Sequence, residues 1–278
     1  MLEKLQYRNH LGEIIIFGQD GFFVNQNDLR DFAWSYTSKN NRLSSFKKGV
    51  VKKTLPVIIA CTSEADGLAK RNALFEVCEK DVLANNHGKI IIGDYYMKCF
   101  VTGSKKSDYL YNNQTMKVKL TVVTDFPVWV KESTKVFRRL DSPVISEDAG
   151  QNFDYPFDYP HDYASVFANQ RMVNDDFVAS NFRMVIYGPC SGPAVFIGEH
   201  CHAVKTEIAA SEYLIIDSIE KTVKLVRNNG ETVNCFNDRS REFYIFQKIP
   251  SGANSVTWEG NFGFDITLLE ERSEPKWT

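Results

Sequence analysis

The sequence predicts a mostly β protein: a β-domain carrying one packed helix and a β-hairpin, followed by an all-β sandwich of the jelly-roll kind. Three observations lead there. Aromatic residues make up 13% of the chain, with 20 Phe and 12 Tyr, and such side chains suit half-buried pleated surfaces. Short apolar runs of strand length recur between turn signals, and only the stretch around residues 62–88 has a helical period. At 278 residues the chain exceeds what one core usually serves, so two domains are expected.

In the first half, Glu13 to Phe17 and Thr54 to Cys61 are apolar runs of strand length. A helix follows, with Thr62 or Ser63 as its cap, Glu64 and Asp66 in its positive first turn and Lys80 near its negative end. Leu68, Phe75, Cys78 and Val82 fall on one stripe, with Leu74 at its margin, and are the expected core face. Asn85-Asn86-His87-Gly88 ends the helix, Gly88 being the expected exit residue. Lys89 to Ile92 and Tyr95 to Cys99 flank Gly93-Asp94, a pair suited to a two-residue hairpin turn. Met116 to Val122 alternates apolar and polar residues, as a strand with one wet face does.

Residues 1–140 are read as the first domain, 141–165 as an extended linker and 166–278 as the sandwich. The linker holds the near-repeat Phe153-Asp154-Tyr155-Pro156-Phe157-Asp158-Tyr159-Pro160, whose prolines oppose helix and ladder pairing. Beyond it, Glu212 to Asp217, Thr222 to Val226 and Glu231 to Cys235 form a meander, with Asn228-Asn229-Gly230 as a turn. Glu242 to Phe246, Ser255 to Trp258 and Phe264 to Leu269 complete the expected strands.

Charge divides as the domains do. Residues 1–140 carry 22 Lys and Arg against 14 Asp and Glu, whereas residues 141–278 carry 11 against 21. Such a split suggests two units that face different neighbours. The six cysteines are widely spaced without a Cys-x-x-Cys pair, which favours reduced, mostly buried thiols. Met1 to Arg8 has no apolar core of the signal-peptide kind, and no apolar run approaches the roughly 20 residues needed to cross a bilayer. Folding in the cytoplasm and no membrane partner are therefore expected.

Candidate chemistry is sparse. His200 and His202 would share a face of a strand, but further ligands at metal spacing are missing, so two exposed histidines on a strand edge are expected rather than zinc. Asp154, Asp158 and Asp162 recur every four residues, yet without the tight spacing and glycine bend of a calcium loop. The local signatures of a nucleophile elbow, a zinc hydrolase, a phosphate loop or a dinucleotide fold do not occur. Catalytic, metal and cofactor residues are accordingly none. Lys47-Lys48, Lys52-Lys53 and Lys105-Lys106 are read as solvated loop lysines, with passing contact to DNA as the alternative. Trp258 is weighed as a sugar platform against a place in the core.

Ser45-Phe46-Lys47-Lys48-Gly49-Val50-Val51-Lys52-Lys53-Thr54-Leu55-Pro56-Val57 resembles the distal tail protein family of siphophages, in its Gram-positive phage branch. So do Glu76 to Val82, Gly88 to Tyr96, Thr102 to Lys106, Thr124 to Trp129, Tyr155 to Tyr159 and the closing Glu270 to Trp277. The resemblance implies a tail-tube-like first domain whose six copies close into a ring, and a galectin-like sandwich as the second. It implies as partners other copies of the chain, the tail tube protein above and the tail-associated hub or lysin protein below. Receptor-binding or peripheral baseplate proteins would attach at the second domain, and DNA would only pass through the channel. The implied location is the virion tail tip, assembled in the host cytoplasm, without catalysis or cofactor. Galectins hold sugar with a spaced set of His, Asn, Arg, Trp and Glu residues that is not found here, and Trp258-Glu259-Gly260 alone does not restore it. Arg42, Phe46, Lys47, Lys48, Val50 and Val51 form the candidate inter-subunit segment. Two other readings stay open: a carbohydrate-binding module for host cell-wall polymers, with Trp258 as its contact, and a cell-wall hydrolase, which would need a converging carboxylate pair.

Overall fold

The computed structural model describes residues 4–24, 26–109, 115–140 and 168–277. They form two compact units, Met1–Lys131 with Glu271–Thr278, and Glu132–Glu270. This division differs from the boundaries expected at 140 and 166: residues 271–278 group with the first unit and residues 132–140 with the second. The segment 141–165, with Asp154, Asp158 and Asp162, lies outside the described residues.

The first unit opens with β1 (Leu5–Arg8), β2 (Ile14–Phe17) and β3 (Phe22–Val24). After β3 come β4 (Ser35–Lys39), β5 (Arg42–Lys47) and β6 (Val51–Ala60), then helix α1 (Glu64–Ala84). The strands β7 (Gly88–Ile92), β8 (Tyr95–Tyr109), β9 (Thr115–Thr124) and β10 (Trp129–Phe137) follow, β10 belonging to this unit only as far as Lys131. One sheet path runs β2-β1-β7-β8 and the other β3-β6-β9-β8, all antiparallel. β8 serves both because its register with β9 slips between Val101 and Gly103 and again after Lys106, the kind of irregularity that bends a long strand. Gly103-Ser104 lies inside this strand, so Lys105-Lys106, expected in a loop, belong to β8. Alternation decides which side chains enter the core: Leu55, Val57 and Ile59 of β6 and Val118, Leu120 and Val122 of β9 are buried while their neighbours are not. The turn at Gly93-Asp94 closes the hairpin as expected, with Gly93 at φ 57° and Ile92 opposite Tyr95.

Ser63 caps α1, its hydroxyl accepting from the Asp66 N–H, and Glu64 and Asp66 fill the first turn. The helix exit is Asn85, at φ 48° and ψ 42°, and not Gly88, which begins β7. Gly88 is small for another reason. A Cβ there would stand 2.2 Å from Asp81 Oδ2 and 2.5 Å from the Tyr7 hydroxyl.

The second unit begins with β11 (Ala168–Asn174), β12 (Asn181–Tyr187), β13 (Cys190–Ser191), β14 (Ala194–Ile197) and β15 (His200–Ala203). It continues through β16 (Glu207–Ile208), β17 (Tyr213–Asp217), β18 (Thr222–Val226), β19 (Thr232–Asn234), β20 (Gly252–Trp258) and β21 (Gly263–Arg272). One sheet runs β19-β18-β17-β12-β21 and the other β11-β20-β14-β15. A single apolar cluster draws on both, including Phe182, Met184, Ile186 and Ile266 from the first and Met172, Val195, Val256 and Trp258 from the second. Glu242–Phe246, expected as a strand, is a loop. Its carbonyls are taken by other donors: His200 Nε2 meets Tyr244 O at 2.9 Å and His202 Nδ1 meets Ile245 O at 2.7 Å.

Candidate assembly interface

The candidate segment from Arg42 onward falls on a hairpin. β4 and β5 make a two-stranded sheet joined to no other described strand. Asn40 and Asn41, at φ 51° and 59°, form a turn of the left-handed kind that asparagine tolerates, with Lys39 opposite Arg42. Tyr36 stands opposite Phe46. The register slips between Thr37 and Ser38, so Ser38 faces Leu43. Thr37 Oγ1 lies 2.8 Å from Ser44 Oγ and 2.7 Å from Ser45 Oγ, which puts both bulged serines on the threonine side. Tyr36, Leu43 and Phe46 are left on the other side, 65%, 59% and 57% exposed.

Arg42, Phe46, Lys47 and Val50 of the candidate set are exposed, but the other two turn to their own unit. Lys48 donates to Ser273 Oγ at 2.7 Å and lies 4.5 Å over the Trp34 ring, and burial foremost lowers its ammonium pKa. Val51 is half-buried at the start of β6. Lys53 corrects the reading of solvated loop lysines. It is buried on β6, its Nζ donating to Asp28 O at 2.9 Å and to Asp31 O, so it pins the loop before the hairpin. Tyr36 and Leu43 were not singled out in the sequence; the Asn40-Asn41 pair between two β-compatible runs is the signal that marks them.

The helix is turned differently from the expectation. Gly67, Leu74, Cys78 and Asp81 face inward. Leu68, Phe75 and Val82, expected in the core, are exposed, as is Leu83. Two causes combine. Gly67 packs closely on Cys61, whose Sγ would stand 2.9 Å from an added Cβ, and Asp81 occupies an inner position because Tyr7 and His10 satisfy its carboxylate. Beside the outward row runs a groove of about 350 Å³, lined by Phe75, Cys78 and Val82 of α1 and by Val101, Met116 and Val118 of β8 and β9.

The chemical candidates of the second unit are structural. Trp258 is fully buried, its indole N–H donating to Phe262 O at 3.0 Å and its ring edge-on to Phe137 and Phe264. The ring presents no face to a sugar, which corrects its reading as a platform. His202 is also buried, against the expectation of an exposed edge, with Phe182 edge-on at 4.9 Å. Burial, and secondarily the neighbouring His200, lower its imidazole pKa to about 4, so the ring is neutral at pH 7 with its Nδ1 proton on Ile245 O. Among the described residues no three His, Cys, Asp or Glu side chains gather as a metal site. Four of the six cysteines, Cys78, Cys99, Cys201 and Cys235, are buried.

Neither protein-family models nor curated protein sequences match the chain. Solved structures do. The SPP1 Dit protein, characterised as a paradigm of the hub adsorption apparatus in phages infecting Gram-positive bacteria, matches over 98% of this chain and 99% of its own, with TM-score 0.59 and 10% identity. The fold is that of Dit. Components of the phage P2 baseplate in its activated conformation, with Ca and with Sr, match over 99% of this chain and 100% of theirs. Their TM-scores are 0.62 and 0.63, at 13% and 12% identity. At such identities the likeness to Dit lies in the path of the backbone, and few side chains are shared.

Proposed function

We propose that this chain is a structural hub protein of a siphophage or prophage tail tip. Six copies form a ring between the tail tube and the tail-associated hub or lysin protein, and DNA passes through its axis. The observation that carries this reading is the Dit-like backbone over the whole chain rather than over one domain. The unpaired, apolar surfaces of the first unit support it, because a subunit that works by docking must leave such surfaces open until it assembles. The second unit, with its own core, is proposed to carry receptor-binding or peripheral baseplate proteins. The role requires no bond to be made or broken.

A closed ring repeats one contact at every junction, so moderate contacts sum to a stable collar. Gold-labelled antibody against this chain should mark the tail tip of intact virions, and sixfold rings should appear in micrographs of extracted baseplates. Label on the head, or tail tips without the chain, would overturn the reading.

A further inference from the structure

We propose that the β4–β5 hairpin of one copy docks on the outward face of α1, and into the groove beside it, on the next copy. This rests on the ring reading above and names the surfaces through which the ring closes.

The hairpin is built as a finished structure yet pairs with no other strand among the described residues. Its turn and hydroxyl network hold the register, but its sheet joins no other described strand and Tyr36, Leu43 and Phe46 gather on one exposed side. A lone two-stranded hairpin is at best marginally stable in water, so a partner surface is required. The helix supplies a matching surface. Leu68, Phe75 and Val82 recur every seven residues along it, exposed, where a surface helix ordinarily presents polar side chains.

Charge selects the pairing. The hairpin, Ser35–Lys47, carries Lys39, Arg42 and Lys47 and no carboxylate. On α1 the exposed charged residues are Glu64, Glu76 and Glu79, while Lys70 and Lys80 are paired with Asp66 and Glu13 and Arg71 donates to Gly67 O. Arg71 and Lys106 of β8 also line the groove, so the attraction is carried by Glu76 and Glu79 on the outward face. The cations stand at the turn and the base of the hairpin, where long side chains reach past the apolar contact to the carboxylates. Since the two surfaces are different patches of one unit, each copy offers one of each. Such a heterologous contact propagates and closes when its rotation allows.

The test places the photo-crosslinker p-benzoylphenylalanine at position 46 of the full chain, in mixed isotopically light and heavy protein and in assembled particles. Light–heavy links from position 46 to peptides within Glu64–Ala84 are expected. Links between copies that land elsewhere, or links confined to the chain's own helix, overturn this contact and leave the ring reading standing. Absence of rings at the tail tip overturns both. In sedimentation velocity, Glu76→Lys with Glu79→Lys should weaken self-association about tenfold or more, as should Lys39→Glu with Arg42→Glu. Combining the two sets should recover most of the loss. All four positions are exposed, so thermal melting should hardly move. No recovery with all variants folded would overturn the contact.

Discussion

Tyr7 donates its phenolic hydrogen to Asp81 Oδ2 across 2.5 Å, joining β1 to the inner face of α1 over 74 positions of sequence. The other carboxylate oxygen accepts from the His10 backbone N–H at 2.8 Å and lies 2.5 Å from His10 Nδ1. Burial, then the bond to Asp81, drive the Tyr7 pKa far above its ordinary value, so the hydroxyl keeps its proton and donates at neutral pH. A carboxylate can sit on the core side of the helix because every partner it needs is built around it.

Tyr7→Phe keeps the ring and removes the donor. It should cost about 1–3 kcal/mol in urea unfolding, the usual penalty for a buried acceptor left short of a partner. Asp81→Ala should cost more, since it strands both Tyr7 and His10. The double variant should be less destabilised than the sum, as expected of groups in one network. Strict additivity would mean that the bond contributes nothing.

Gly88→Ala should destabilise the first unit by roughly 1–3 kcal/mol, because its methyl would press on Asp81 and the Tyr7 hydroxyl. The same substitution in a Tyr7→Phe background, where one of the two obstructing oxygens is gone, should cost less. Equal costs in both backgrounds would show that the Tyr7 hydroxyl does not limit the space there.

His202 makes stability fall with acid. Its folded pKa is near 4 and its ordinary value 6.5. Between those values the unfolded chain binds a proton that the folded chain refuses, so the stabilisation is full above pH 6.5 and is lost progressively toward pH 4. The total is about 3 kcal/mol at 1.4 kcal/mol per unit. His202→Gln, which can still donate to Ile245 O, should flatten the fall in melting temperature between pH 7 and pH 4 relative to the parent chain. An unchanged slope would refute the assignment.

Trp258→Ala should cost about 3–5 kcal/mol through the cavity it leaves among Phe137, Phe262 and Phe264. Any cell-wall binding by the chain should then be lost only in step with folding, as read by near-ultraviolet circular dichroism. Binding lost with the spectrum and melting curve intact would restore Trp258 as a contact residue.

The local features were open to a reader of the sequence. Strand alternation in β9, the Gly93-Asp94 and Asn229-Gly230 turns and the Ser63 cap each depend on residues a few positions apart, and each forms as read. The mainly β character with a single described α-helix follows from the same short-range rules. Tertiary structure decided the rest. The helix face that turns inward depends on Tyr7 and His10 arriving from β1 and its following turn, and an aspartate at an inner position looks polar, hence outer, to any periodicity count. Residues 242–246 have strand composition but lose their ladder because histidines from β15 take two of their carbonyls. Hydrophobic period records how much apolar surface a segment carries. Only the meeting of distant segments determines which part of that surface is covered within the chain and which is left for another molecule.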